Sequence, residues 1–324
     1  MDDGTVELDE PRTRSIAYSV EDLRALAMVV DTGSMTAAAR KFSVSKSVLS
    51  RAIAKLERAA NGPLFERGHG GMTLTAAGKA LIPIADRAMA LVRDADEAMR
   101  SAEGTPQGTL RVAAGALSGQ LLVAPVIARM TRTYPQTRVV MNVTDTWFDP
   151  SEGETDVLLR LGEAQEAHLA SRLIIESTMA LYAHRSAGDA VDLHDPEAVE
   201  RLGRVVIDVE GVPTDWPMDG PRKRSLTMAS GPLACVSDPA VALGVLNSGT
   251  GVAMIPSVFG DPAAAQGRIV RALPDWSGPT AKVYAVLPPR RAAVPLVAAF
   301  LELLHERAEE LHETAQRAGV RGSI

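Results

Sequence analysis

The chain has 324 residues, 46% of them hydrophobic, and a mean hydropathy of +0.03. That length suits two domains with a sizeable core, and no apolar run approaches the ~18 residues that a membrane-spanning helix needs. The net charge of −6 conceals an asymmetry: residues 16–80 carry nine Lys/Arg and five Asp/Glu, against 25 and 35 in the remainder. A basic module attached to an acidic body is the pattern of a phosphate-binding head. The single cysteine, Cys235, excludes an intrachain disulfide and fits a reducing cytoplasm. Met1–Arg14 is polar and mostly acidic, so it is no signal peptide, and residues 1–18 are expected to form a disordered extension.

Leu23, Leu26, Ala27 and Val30 mark a first helix on a 3.6-residue period, closed by Gly33. Ser34 caps a short second helix, Met35–Phe42, whose Ala37-Ala38-Ala39 run allows a close helix crossing. After the brief connection Phe42–Ser45, residues Ser45–Ala60 read as a helix with two faces. Leu49, Ala52, Ile53, Leu56 and Ala60 form an apolar stripe, and Ser47, Arg51, Lys55 and Arg58 line the opposite side. The short turn and second amphipathic helix are what a helix-turn-helix requires, and there the second helix enters the DNA major groove. Pro63–Arg67, the Gly68–Gly71 cluster and Thr73–Thr75 suggest a β-hairpin wing.

On these residues the chain resembles the winged helix-turn-helix of LysR-type transcriptional regulators. Gly33-Ser34, Ala38-Ala39, Ser45, Ser47, Ser50-Arg51, Leu56-Glu57, Leu64–Arg67, Leu74-Thr75 and Gly78 carry the likeness. Two positions depart from it. Lys46 stands where glutamine is frequent, and Ser43 replaces the usual Gly or Asn of the turn, so the operator sequence does not carry over. In this scheme Lys46, Ser47 and Arg51 face base edges and phosphates, with Arg51 the guanine reader. Lys55, Arg58, Thr36 and the wing residue Arg67 hold phosphates, and Ser34, Ser45 and Ser50 complete the candidate DNA-binding set.

From Thr75 to Ser101 one long helix is expected, with Ala77, Leu81, Ile84, Ala88, Leu91, Ala95 and Ala98 at alternating steps of four and three. That seven-residue repeat is a coiled-coil seam, and the family resemblance implies the same: a linker helix, residues 77–103, that pairs two subunits. Pro83 should bend it. Ser101–Gly108 reads as a hinge. Strands are expected at Leu110–Ala114, Arg138–Thr144, Asp156–Arg160, Met179–Ala183, Val205–Ile207, Leu226–Met228, Val252–Ile255, Ile269–Arg271 and Lys282–Val286. Helices are expected at Gln120–Thr133, Asp238–Asn247 and Pro295–Ala315, an alternation that implies parallel sheets covered by helices.

This half is similar to the effector domain of the same family, which looks like a type 2 periplasmic binding protein. Gly108–Val112, Tyr134-Pro135, Asp156-Val157, Gly249–Pro256, Leu273–Trp276, Val283–Val286 and Phe300-Leu301 match. The resemblance implies residues 109–324 as two α/β lobes, one from 109–176 and 272–324 and the other from 177–271, with the ligand between them. Open α/β sheets also bind ligands at the carboxyl ends of their strands. The candidate effector residues are therefore Ala116, Leu117 and Ser118, Thr144 and Asp145, Ser230 and Gly231, and Ile255 and Pro256.

Enzymatic readings fare worse. Ser43-Val-Ser-Lys46 matches a Ser-x-x-Lys pattern but lies in the helix-turn-helix turn. The six histidines show no metal spacing, Cys235 reads as a small buried hydrophobe, and the glycines near 115–119 make no dinucleotide loop. With 4% aromatics, the composition argues against a single-strand stacking platform. No cofactor or metal is expected. The sequence thus reads as a winged helix-turn-helix, a linker helix and a two-lobed α/β effector domain. Its expected partners are double-stranded DNA with an inverted-repeat operator, a small-molecule effector, further copies in a homodimer or homotetramer, and RNA polymerase. The alternatives are a ligand-independent architectural DNA-binding protein and a solute-binding or enzymatic α/β protein whose head serves dimerisation.

Overall fold

The computed structural model describes residues 17–68, 71–100, 104–153, 155–208 and 214–321. Nearly all of the expected extension, and part of the expected hinge at 101–108, lie outside the described residues. The chain divides into two compact units, Met1–Arg93 and Asp94–Ile324.

In the first unit, helix α1 (Val20–Thr32) begins with a reciprocal cap. The Ser19 hydroxyl accepts from the Asp22 N–H, and the Asp22 carboxylate accepts from the Ser19 N–H at 2.9 Å. Burial would raise the Asp22 pKa, but the Ser19 hydrogen bonds and the Lys55 ammonium outweigh it and hold the carboxyl below its usual value. Gly33, left-handed at φ 64°, ends the helix. Helix α2 (Met35–Lys41) starts on Ser34 and turns its fully buried Ala38 to the core. Helix α3 (Lys46–Ala59) starts on Ser45 and buries Leu49, Ala52, Ile53 and Leu56 with Leu23, Leu26 and Val29 of α1. Each fully buried Leu or Ile of this cluster contributes about 1.5–3 kcal/mol.

The wing is the antiparallel pair β1 (Phe65–Gly68) and β2 (Gly71–Leu74), tied to the end of α1 by the Met72 N–H donating to Gly33 O at 3.2 Å. Helix α4 (Ala76–Arg100) runs on through Pro83 as one helix. A Cβ on Gly78 would lie 2.3 Å from the Leu64 carbonyl oxygen, so only glycine lets α4 pass that close to the chain entering the wing. The expected seam divides: Leu81 and Ala88 pack on the helix-turn-helix core, whereas Ile84 and Leu91 are 58% and 55% exposed.

The second unit contains β3 (Gly108–Ala114), β4 (Thr137–Val143), β5 (Val157–Leu161), β6 (Ala170–His184), β7 (Arg204–Ile207), β8 (Trp216–Asp219), β9 (Ser225–Met228), β10 (Pro232–Val236), β11 (Val252–Pro256), β12 (Ile269–Ala272) and β13 (Thr280–Leu287). Its helices are α5 (Ala116–Ser118), α6 (Ala124–Thr133), α7 (Ala187–Ala190), α8 (Pro196–Glu200), α9 (Pro239–Asn247), α10 (Ser257–Ala265) and α11 (Pro295–Arg321). Nine strands make one curled sheet in the order β10-β7-β11-β6-β13-β5-β3-β4, with β12 also on β6, and β8-β9 form a separate hairpin.

The 15-residue β6 is the common element. Its first part, Ala170–Thr178, pairs with β13, and its second part, Met179–His184, pairs with β11 and β12, all antiparallel. The sheet is therefore mixed, where alternation alone suggested parallel strands. Arg172, Glu176 and Ser177 interrupt the apolar run of β6, so its first half does not read as a strand in the sequence. Strands β8 and β10 and helix α10 also escaped, each too short or too broken in pattern to announce itself. The first helix of this unit begins at Ala116 rather than Gln120 and passes into α6 through a π turn at Gly119–Val123.

One core gathers Leu110, Val112, Leu122, Met130, Phe300 and Leu304; a second gathers Trp216, Met218, Met254 and Trp276. Asp94, in the last turns of α4, accepts from Arg290 Nε at 2.6 Å and from Arg291 at 2.7 Å. Arg291 also reaches Asp156 at 2.7 Å, whose other oxygen takes the Arg111 N–H at 2.7 Å. Among the described residues, no helix is long and apolar enough to cross a membrane.

Candidate nucleic-acid interface and interlobe cleft

Helix α3 owes its position to its apolar stripe, and that burial aims the opposite side outward. Lys46, Ser47, Ser50, Arg51, Lys55 and Arg58 are all exposed. Ser45 caps the helix through the Val48 N–H at 3.3 Å and meets the Ser47 hydroxyl at 3.0 Å. Arg51 Nε donates to Ser47 O at 3.3 Å, and Arg58 Nε to Ala54 O at 3.1 Å. Each guanidinium is thus steered along the helix surface, its terminal nitrogens left to reach an acceptor outside the chain. Thr36 is exposed on α2, while Ser34 is half-buried in its capping role.

Lys55 differs from its neighbours. Its ammonium lies 3.3 Å from the buried Asp22 carboxylate, so it braces α3 against α1 rather than standing free for phosphate. Arg67 lies in the wing, opposite Met72 in the β1–β2 register. Val48, 46% exposed at the N-terminal end of α3, is an apolar surface side chain that the charge pattern did not single out.

In the second unit β3, β4 and β5 run parallel, as do β7, β10 and β11, so their carboxyl ends gather in two sets. The segments leaving these sets touch. The Ala116 N–H, just after β3, donates at 3.1 Å to Asp238, just after β10, and Asp238 also takes the Ala240 N–H at 2.5 Å as the cap of α9. Asp145, which follows β4, lies against the same place: a Cβ built on Gly115 would sit 2.2 Å from its Oδ1. Burial first, then the hydrogen bond with Asp238 and its negative charge, push the Asp145 carboxyl up to about 6. Beside it a small recess is lined by Thr144, Trp147 and Arg160, with the Arg160 guanidinium 4.4 Å from the Trp147 ring centre.

The structure therefore brings together Ala116, Thr144 and Asp145, with half-buried Ser118 two residues after Ala116 in α5. Leu117 is 4% exposed within the main core and presents no side chain to a ligand. Ile255 is fully buried in β11, and half-buried Pro256 ends that strand opposite Met179. Ser230 and Gly231 require correction. Strand β10 starts at Pro232, paired with Arg204 at the start of β7, which puts them at the end of the sheet away from the gathered carboxyl ends. There the Ser230 carbonyl accepts from Arg204 Nε at 2.8 Å and from its Nη2. The segment at the carboxyl end of β10 is Ser237-Asp238, which the sequence pattern does not place beside Ala116 because β10 does not read as a strand. Cys235 is also corrected: β10 is an edge strand and the thiol is exposed, not a buried hydrophobe.

Comparison with known proteins agrees with both units. The family profile "LysR substrate binding domain" matches residues 103–309, and "Bacterial regulatory helix-turn-helix protein, lysR family" matches residues 20–79. The chain is 30% identical over 292 residues to the HTH-type transcriptional regulator PtxR of Pseudomonas aeruginosa, covering 89% of this chain and 92% of the relative. Its fold is similar to CrgA, a LysR-type regulator of Neisseria meningitidis, with 23% identity, a TM-score of 0.56, and 90% and 98% of the two chains covered. A full-length OxyR variant from Pseudomonas aeruginosa gives 18% identity and a TM-score of 0.62, over 90% of this chain and 94% of that one. DNA binding, response to small-molecule effectors and oligomer formation are properties of that family. The chain belongs to the LysR family, and it is a transcriptional regulator, not an enzyme, with a helix-turn-helix and a LysR substrate-binding domain.

Proposed function

We propose that this regulator acts in the cytoplasm as a homodimer or homotetramer that reads an inverted-repeat operator with paired α3 helices and engages RNA polymerase there. Two-fold pairing of the subunits matches two-fold symmetry in the site. The observation that carries the reading is the exposed Lys46-Ser47-Ser50-Arg51 surface on a helix whose other side is locked into a core. In this reading Arg51, Ser47 and Lys46 meet base edges, while Arg58, Thr36, Arg67 and the capped ends at Ser34 and Ser45 meet phosphates. Lys55 reaches a phosphate only by releasing Asp22. The effector sits where the carboxyl ends of the two strand sets meet, among Ala116, Ser118, Thr144, Asp145 and Asp238, with residues 109–176 and 272–324 forming one lobe and 177–271 the other.

The test is a footprint on DNA upstream of the gene, wild type beside Arg51→Ala. The expected outcome is protection of an interrupted inverted repeat, weakened in the variant by ~1–3 kcal/mol with one base preference relaxed. Equal loss on specific and random DNA would reduce Arg51 to a phosphate contact. Steep loss of affinity with added salt is expected of the head, because neutralised phosphates release counterions.

A further inference from the structure

Asp238 on the Ala116 N–H joins the segment after β10 to the segment after β3, and Asp145, from the segment after β4, lies on the adjoining Gly115, so two carboxyl groups meet at consecutive residues. Two ionised carboxylates in hydrogen-bond contact repel, whereas one proton between them makes a short, charge-assisted bond. We propose that this pair is a proton-operated latch across the cleft: protonated, it fastens the two strand sets together, and ionised, it releases them. Asp238 is the fixed half. It is 8% exposed and held by two backbone N–H groups, that of Ala240 in α9 and that of Ala116 across the cleft. Asp145 is the titrating half, exposed to solvent on one side and pressed on Gly115, where the absence of a side chain creates its seat.

The charged surroundings are sparse. Neither Gly115–Ser118 nor α9 contains an ionisable side chain, and Arg160 of β5 lines the recess beside Asp145 with its guanidinium stacked on Trp147. The sign follows from a folded-state value of about 6 against an ordinary 3.8. The latch contributes fully below pH ~3.8, weakens as pH rises through about 6, and is open above it. An effector entering the cleft meets a closed latch in acid and an open one near neutrality, so proton and effector are coupled at one site.

The experiment is hydrogen–deuterium exchange of the full chain from pH 5 to 7.5, corrected for intrinsic exchange and followed in peptides covering Ala116–Val123. In wild type, protection of this segment falls several-fold across that interval. In Asp145→Asn the amide donates to Asp238 at every pH, so protection stays high and flat; in Asp145→Ala it is flat as well, at a lower level. Peptides from α1–α3 serve as the reference for global change. Identical pH profiles in wild type and both variants, or constant protection in wild type, would overturn the proposal.

Discussion

Ser43 closes the turn between α2 and α3 at φ 55°, a left-handed conformation that costs an ordinary residue roughly 1–2 kcal/mol. The resemblance had marked this residue as a departure from Gly or Asn, and the backbone explains why those types are usual there. Replacing Ser43 with Gly is expected to stabilise the head by about 0.5–1 kcal/mol, the relief of strain exceeding the added chain entropy. A denaturant melt of both proteins measures it, and an unchanged midpoint would mean the serine is held there without strain. At the same scale Asp238 shows what spacing cannot reveal. The expected strand Leu226–Met228 points to Ser230 and Gly231, whereas β10 is five residues long, reads as loop in its pattern, and so conceals Asp238 beyond it.

Among the elements, α4 was legible almost to its ends, since a seven-residue apolar period is a local property of the chain. Which members of that period serve the helix-turn-helix core and which face outward was not, because the division depends on where the core of the first unit lies. Ile84 and Leu91 remain exposed on one stripe of α4. Leu91→Lys is expected to leave the fold within about 0.5 kcal/mol of wild type while weakening self-association, as judged by sedimentation. If the oligomer persists undiminished, the pairing surface lies elsewhere. Strand β6 gives the converse lesson. A single 15-residue strand pairs with different partners along its two halves, and the polar residues of the first half made it unreadable as one element.

For the molecule as a whole, Asp94 fastens the last turns of α4 to Arg290 and Arg291, and Arg291, 5% exposed in its side chain, holds Asp156 in turn. Removing one member of a largely buried ion-pair network leaves charge uncompensated, at a cost of up to about 3–5 kcal/mol when burial is complete. Asp94 is 19% exposed in its side chain, so Asp94→Ala is expected to destabilise the Asp94–Ile324 unit by about 2 kcal/mol, less than that limit. A calorimetric scan that leaves this unit's transition unmoved would show the network to be redundant.

What the sequence by itself determined is what local chemistry encodes. Caps at Ser19, Ser34 and Ser45 follow from single residues, the faces of α3 from a 3.6-residue period, and the charged head from composition. The family likeness rested on such local signals and covered both units. The tertiary structure alone decided which exposed cations are free, since Lys55 is claimed by an Asp22 that lies 33 residues away in the chain. It also decided which segment lies beside Ala116 at the carboxyl ends of the strands. Asp238 and Ala116 are 122 residues apart, and no periodicity spans such a distance. The meeting exists because β6 carries both strand sets in one sheet, and side chains from distant segments come together only once that sheet has formed.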